Sequence, residues 1–150
     1  MTPAVGSVPV LLVPTGNGRL VLPSGMVCEV VQNIEILPTP GTKDWVLGYC
    51  IWRNVPVPMI SFERLLGTKE ADIEMKRMVI MYPLPGREEY DYFGIATNGQ
   101  PRSGKVGADV KITKVLTDMP QRYVSAAVEL PDGLGIIPDF QALKATFYSN

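Results

Sequence analysis

Residues 45–62, with the sequence WVLGYCIWRNVPVPMISF, carry the pattern that says most about the fold. Two strongly apolar runs, 45–52 and 55–60, lie on either side of Arg53 and Asn54 and are rich in β-branched and aromatic residues. Because asparagine tolerates a left-handed backbone, the Arg53-Asn54 pair is suited to a tight turn. The segment therefore predicts a β-hairpin.

The second run of this hairpin contains Pro56 and Pro58 in alternation. Their missing N–H groups point to the same side, which predicts an edge strand with one unpaired side. Fourteen glycines and fourteen prolines divide the rest of the chain into short segments, as turns between strands require. Further extended segments are predicted at residues 8–14, 19–22, 33–37, 76–82, 92–97, 105–115 and 122–130.

Helical signals are few and brief. Ser24 is a candidate N-cap for a short helix that would place Val27, Val30 and Val31 on one face. Ser61 and Asp139 are candidate caps of two further short helices. Many short strands with only brief helices predict an all-β barrel or pair of barrels, not βαβ units.

The composition favours a protein that binds over one that catalyses. The 150 residues contain no histidine, which removes the commonest general base and the commonest metal ligand. The net charge is −1, so neither nucleic acid nor an anionic membrane is an expected partner. Cys28 and Cys50 lie among apolar residues, which predicts buried thiols in a reducing cytoplasm. No metal, cofactor or membrane insertion is expected, because no matching motif is present.

Residues 99–105, GQPRSGK, fit the core of a phosphate-binding loop. That chemistry needs a serine or threonine after the lysine and a helix that begins there. Val106 follows Lys105 instead, and Pro101 removes one amide donor from the loop. A hairpin loop is therefore the preferred interpretation, and nucleotide binding through Gly99–Lys105 remains a remote alternative.

Two charged residues interrupt apolar segments. Glu29 lies within VCEVV, and Arg53 lies within the hairpin described above. Burying an unpaired charge is unfavourable, so each side chain either reaches solvent or finds a partner. We hypothesise that Glu29 and Arg53 pair with each other near a groove, and a separation beyond salt-bridge or single-water reach would contradict this.

The hairpin block, from Gly48 through Arg53, Pro58 and Ser61 to Gly67, resembles the CheW-like domain, the adaptor module of bacterial chemosensory arrays. The resemblance extends over residues 9–145 through Pro40-Gly41, the segment 27–30, the strand around 93–98 and the terminal segment 133–143. Three positions depart from the family pattern: the glycine after the arginine is Asn54, and two aspartates are Ser61 and Asn98.

The resemblance implies one CheW-like domain over residues 1–150 with two lobes and a flexible N-terminus at 1–8. Its fold would be two intertwined five-stranded SH3-like β-barrels with short helices and a hydrophobic groove between the barrels. It implies no catalytic residue. The module would couple the cytoplasmic helical tip of a chemoreceptor to the regulatory domain of a CheA-type histidine kinase.

Carried over by position, the resemblance makes Glu29 and Arg53 shape the receptor-facing groove, with Val27, Val30 and Asn54 around them. An apolar groove with a few oriented polar groups suits a helical partner. The alternative function is a CheW-like scaffold in a pilus or other motility complex without receptor contact.

Overall fold

The structure, a computed structural model, describes residues 7–15, 18–38, 45–65, 77–83, 92–97, 99–107, 112–113, 124–131 and 133–142. The chain divides into two compact units. The first unit consists of residues 1–25 and 101–150, and the second of residues 26–100. The second unit is thus an insertion in the sequence of the first.

The described residues are mostly β-strand, which confirms the predicted all-β fold with short helices. The strands are β1 (Val8–Thr15), β2 (Gly18–Pro23), β3 (Val27–Gln32), β4 (Val46–Trp52), β5 (Val55–Ile60), β6 (Arg77–Met81), β7 (Phe93–Thr97), β8 (Arg102–Val106), β9 (Ile112–Thr113), β10 (Val124–Leu130) and β11 (Gly133–Pro138). A 3-10 helix covers Ser24–Met26, and helix α1 covers Phe62–Leu65. Among the described residues, no helix has the length and hydrophobicity that a membrane span requires.

The first unit contains one sheet with the strand order β8-β1-β2-β11-β10-β9. It has six strands where five were expected, because the two-residue β9 adds to β10 at the edge. The pairing of β11 with β2 is parallel, and the other pairs are antiparallel. Val10, Val21 and Val128 form a buried cluster on one face of this sheet. Of the predicted flexible segment 1–8, residues 1–6 lie outside the described residues, and Val8 already belongs to β1.

The second unit contains a five-stranded sheet with the order β3-β6-β7-β5-β4. Its buried core is built from apolar side chains of the last four of these strands: Cys50, Trp52, Val57, Met59, Met78, Ile80 and Ala96. Cys28 and Val31 of β3 pack against this cluster. Since these side chains come from every strand of the sheet, one face of the whole sheet encloses the core.

The hairpin predicted from residues 45–60 is confirmed. Trp52 pairs with Val55, so a two-residue turn joins β4 to β5. Both turn residues have positive φ angles, 49° at Arg53 and 64° at Asn54, as a type I′ turn requires. This turn geometry matches the right-handed twist of the two strands.

The prediction that the second hairpin strand is an edge strand is wrong. β5 lies between β4 and β7 in the sheet. Its parallel pairing with β7 involves only Met59 and Ile60, so Pro56 and Pro58 lie beyond the paired part of that side. The two prolines therefore take no part in the ladder with β7, where their missing N–H groups could not donate. The strand itself is nevertheless internal.

The prediction of a helix after Ser24 is also wrong beyond its first turn. After the 3-10 turn the chain continues as β3, which pairs with β6. Valine is β-branched and favours an extended backbone, and pairing with β6 outweighs the helical spacing of Val27, Val30 and Val31. The expected extended segment at 33–37 forms one isolated bridge, between Leu37 and Tyr49.

The two other predicted helix caps are confirmed. The Ser61 Oγ accepts a hydrogen bond of 3.2 Å from the Arg64 N–H at the start of α1. The Asp139 Oδ1 accepts one of 3.0 Å from the Ala142 N–H. Each side chain satisfies an amide that the first helical turn leaves without a backbone partner.

The phosphate-loop alternative is contradicted by the backbone. Arg102 to Val106, predicted in part as a loop, is strand β8 and pairs with β1. Lys105 lies opposite Pro9 in this ladder, so the segment forms no glycine-rich cradle leading into a helix. The strand predicted at 105–115 is correspondingly two strands, β8 and β9.

Gly48 allows two backbone segments to approach closely. Its φ is 138°, and Tyr49 next to it exchanges two backbone hydrogen bonds with Leu37, of 2.7 and 3.0 Å. A Cβ atom at position 48 would clash with the Leu37 carbonyl group, with its carbon at 2.8 Å, and would lie 2.9 Å from the Pro38 Cα. Only glycine meets both conditions.

We expect Gly48→Ala to lower the free energy of unfolding more than Gly133→Ala does. Gly133 has a nearly identical φ of 134°, but a Cβ atom added there would meet no atom within 4 Å. Gly133→Ala therefore measures the cost of the backbone strain without a steric clash. That strain costs about 1–3 kcal/mol. The clash at position 48 adds about 1–3 kcal/mol to it. Urea denaturation of both variants measures the difference, and equal losses would contradict the role of the Leu37 contact.

Candidate functional site

All five residues predicted to bind a partner belong to the second unit. Val27, Glu29 and Val30 lie on β3, and Arg53 and Asn54 form the turn between β4 and β5. β3 and β4 are the outer strands of the five-stranded sheet. Contact between residues of these two strands therefore requires the sheet to curve strongly.

Glu29 and Arg53 form the ion pair that the sequence suggested. The Arg53 Nη2 donates a hydrogen bond of 3.1 Å to the Glu29 Oε2. The side chains are 66% and 39% exposed, respectively. An exposed pair of this kind stabilises a fold by only about 0.2–1 kcal/mol. The pair therefore contributes little to folding.

Trp52 joins both members of this pair, a role that the sequence analysis missed. The Trp52 Nε1 donates a hydrogen bond of 3.0 Å to the same Glu29 oxygen. The Arg53 guanidinium carbon lies 4.4 Å from the centre of the Trp52 ring. One indole thus contacts the carboxylate through its N–H and the guanidinium through its π system.

Aromatic neighbours hold the indole in place. Trp52 is 8% exposed and belongs to the core of the second unit. Tyr92 packs edge-on against it, with ring centres 5.1 Å apart, and Tyr82 lies 6.2 Å from Tyr92. A signal for Trp52 was present in the sequence: it alternates with Cys50 on the inward face, and a buried indole N–H usually finds an acceptor.

The Cys50 thiol and the Tyr82 phenol lie beside this cluster. The pKa of Tyr82 is raised, mainly by a side-chain hydrogen bond with Cys28, while the nearby Arg53 charge acts in the opposite direction. Burial raises the pKa of the Cys50 thiol. Both effects favour the neutral forms of these two groups.

The two predicted valines lie next to the pair in sequence but differ in orientation. A bulge between Val27 and Glu29 shifts the register of β3, and Glu29 then pairs with Ile80 of the core. Val30 pairs with Val79, and its side chain lies on the face of the sheet opposite to that of Glu29. It is exposed. Val27 is half-buried. The structure therefore brings Glu29 and Arg53 together and places Val30 on a different face.

The outer face of the β4–β5 hairpin is apolar. Tyr49 and Ile51 lie opposite Pro58 and Pro56, and their neighbours Cys50 and Val57 point into the core. Ile51 is 58% exposed. We call Tyr49, Ile51, Pro56 and Pro58 the hairpin strip. Contiguous exposed apolar side chains of this kind are typical of surfaces that contact other proteins.

The backbone at Arg53 is held in an unfavourable conformation. A left-handed residue other than glycine costs about 1–2 kcal/mol, and asparagine and aspartate are tolerated there better than arginine. The ion pair and the ring contact offset a cost of this size. Such local strain is typical of functional positions.

The arrangement is suited to binding. An exposed cation, an adjacent carboxylate and nearby apolar side chains can orient a protein partner. Across the described ranges, no three His, Cys, Asp or Glu residues are grouped as a metal site requires.

Comparison with known proteins identifies the family. The sequence model of the CheW-like domain family matches residues 9–146. The chain belongs to this family, whose members are scaffolding adaptors of chemotaxis-type signalling.

A solved structure shows the same fold. It is the crystal structure of the scaffolding protein TtCheW from Thermoanaerobacter tengcongensis, with a TM-score of 0.77 and 18% sequence identity. The match covers 99% of this chain and 92% of that one. No curated protein matches the chain in sequence.

We expect the turn at Asn54 to depend on backbone conformation rather than on its side chain. Asn54→Ala should lower the free energy of unfolding by about 1 kcal/mol, because alanine is disfavoured at positive φ. Asn54→Gly should change it by less than about 0.5 kcal/mol, since glycine adopts this conformation freely. Thermal and urea unfolding measure both variants, and equal destabilisation by alanine and glycine would contradict this explanation.

Proposed function

We propose that this chain is a cytoplasmic, non-enzymatic adaptor that couples the helical cytoplasmic tips of chemoreceptors to the regulatory domain of a CheA-type histidine kinase. Membership of the CheW-like family supports the adaptor role. The receptor and kinase partners, and the roles of individual residues, are what the proposal adds.

The proposal rests on the conformation, contacts and exposure of Arg53. Its backbone is left-handed, its guanidinium is held by Glu29 and Trp52, and its side chain remains 66% exposed. The fold gains little from holding an arginine in this way, since a glycine or asparagine would make the same turn at lower cost. An oriented, solvent-facing guanidinium is instead what recognition of an acidic or amide group on a partner needs.

The surroundings of Arg53 suit a helical partner. A helix that docks on a protein surface uses apolar anchors at helical spacing and a few polar groups that set its register. Tyr82, 44% exposed, offers an apolar side chain beside this site, because its ring lies 6.2 Å from that of Tyr92, which packs against Trp52. Val30 is exposed on the other face of β3 and does not belong to this surface. The Glu29–Arg53 pair supplies the oriented polar groups.

An adaptor needs a second surface for its second partner. We assign the hairpin strip to the kinase regulatory domain, because it lies on the face of β4 and β5 opposite to the core side on which Trp52 and Glu29 meet. The apolar strip would be covered in a complex and is exposed in the isolated chain. The two partners can then bind at the same time.

Arg53→Ala and Glu29→Ala should each weaken binding to a receptor cytoplasmic hairpin about tenfold or more, as loss of a central charged contact does. The melting temperature of Arg53→Ala should change by no more than about 4 °C, because an exposed ion pair adds little stability. Glu29→Ala should lower it further, because it also removes the acceptor of the Trp52 Nε1 hydrogen bond. Isothermal titration calorimetry and thermal unfolding measure the two effects.

Arg102→Ala is the matched control, since it removes an exposed arginine from β8 of the first unit. It should leave the receptor affinity unchanged. A large loss of stability with unchanged affinity in Arg53→Ala would make Arg53 structural. Kinase binding by the unmodified chain without any receptor binding would favour the motility scaffold without receptor contact.

Ile51→Glu should weaken binding to the kinase regulatory domain about tenfold, because the partner would have to desolvate a charge at an apolar contact. Receptor affinity should stay within a factor of about two, since Ile51 points away from Glu29 and Trp52. Val8→Glu, at a comparably exposed apolar residue of β1, is the control. Unchanged kinase affinity in Ile51→Glu would overturn the assignment of the hairpin strip.

A further inference from the structure

We propose that Trp52 is a positioning residue that orients both Glu29 and Arg53 for partner binding. The proposal rests on the proposed function, because its effect on receptor affinity presupposes that Glu29 and Arg53 bind the receptor. The orientation of the two side chains is itself a property of the isolated chain and can be measured without any partner.

The geometry makes one indole responsible for two charged groups. The Glu29 Oε2 accepts hydrogen bonds from the Trp52 Nε1 at 3.0 Å and from the Arg53 Nη2 at 3.1 Å. The Arg53 guanidinium also lies over the Trp52 ring, 4.4 Å from its centre. Each pair of the three side chains is therefore in contact.

Trp52 is the rigid member of this triangle. The residue is 8% exposed, whereas the side chains of Arg53 and Glu29 are 66% and 39% exposed. Its backbone pairs with Val55 in the closing pair of the hairpin, and Tyr92 packs against its ring. Long charged side chains on a surface lose conformational entropy when they pair, which is why isolated exposed ion pairs are weak. A fixed indole reduces that loss before any partner arrives.

The same contacts define what the partner should offer. A guanidinium has five N–H donors in one plane, and the bond to Glu29 uses Nη2. With its guanidinium carbon over the Trp52 ring and Nη2 bound to Glu29, Arg53 retains further N–H donors for a carboxylate, which suits planar, two-point recognition. The expected feature of the partner helix is therefore an acidic residue flanked by apolar side chains.

Trp52→Phe tests the proposal, because phenylalanine keeps a ring and removes the N–H donor. We expect it to weaken binding to the receptor cytoplasmic hairpin about three- to tenfold, the size of one ordinary net hydrogen bond. In a Glu29→Ala background the same change should have little further effect, since the acceptor is already gone. Trp45→Phe, the same substitution at the other tryptophan, is the control and should leave the affinity unchanged.

NMR on the isolated chain tests the positioning itself. In the unmodified chain, the Trp52 ring should shift the Arg53 side-chain resonances, and the Trp52 indole N–H should exchange slowly with solvent. Glu29→Ala should accelerate that exchange about tenfold or more, which remains measurable if Trp52→Phe does not fold. Exchange that is unchanged in Glu29→Ala would overturn the proposal.

The outcomes separate the two proposals. If Arg53→Ala weakens receptor binding and Trp52→Phe does not, the positioning role is wrong and the proposed function stands. If neither Arg53→Ala nor Glu29→Ala affects binding, the proposed receptor site is wrong. In that case, indole N–H exchange that is accelerated in Glu29→Ala would still support positioning, and unchanged exchange would overturn it.

Discussion

The two-residue turn at Arg53 and Asn54 sets the pairing of β4 with β5, and most of the second unit follows from that pairing. With Trp52 opposite Val55, alternate side chains of both strands point into the core and the others form the hairpin strip. A slip of one residue would exchange the two sets and bury Tyr49 and Ile51 in place of Cys50 and Trp52. The turn therefore decides at once which side chains build the core and which form the exposed hairpin strip.

The proposed binding site is the place where the outer strands of this sheet meet. Glu29 comes from β3 and Trp52 from β4, and the hydrogen bond between them spans 23 positions of sequence. The fold supplies a buried indole that contacts both charged groups. Little folding energy depends on these exposed charges, so this surface can be adapted to a partner without loss of the core. In the proposed function, both binding faces would use residues of the β4–β5 hairpin, whose inward side chains belong to the core.

Local signals predicted much of the fold. Apolar runs around Arg53-Asn54 predicted the hairpin, and Ser61 and Asp139 were identified as caps because capping needs only a side-chain oxygen next to the first helical turn. The helix after Ser24 was wrong, because valine spacing alone does not reveal that β6 offers a partner strand. The prediction that β5 is an edge strand was also wrong, since Pro56 and Pro58 prevent hydrogen bonding to β7 only at their own positions and leave Met59 and Ile60 free to pair with it.

The sequence likewise predicted only part of the candidate site. The sequence by itself determined that Glu29 and Arg53 are charges in apolar segments that need solvent or a partner, and the resemblance of the hairpin block to CheW-like domains pointed to an adaptor. Only the tertiary structure decided that they pair with each other, that Trp52 joins them and that Val30 faces elsewhere. The physical reason is that turns, caps and strand alternation depend on neighbours along the chain. Contacts between outer strands depend on how far the sheet curves, and a bulge at one residue is enough to redirect the side chains that follow.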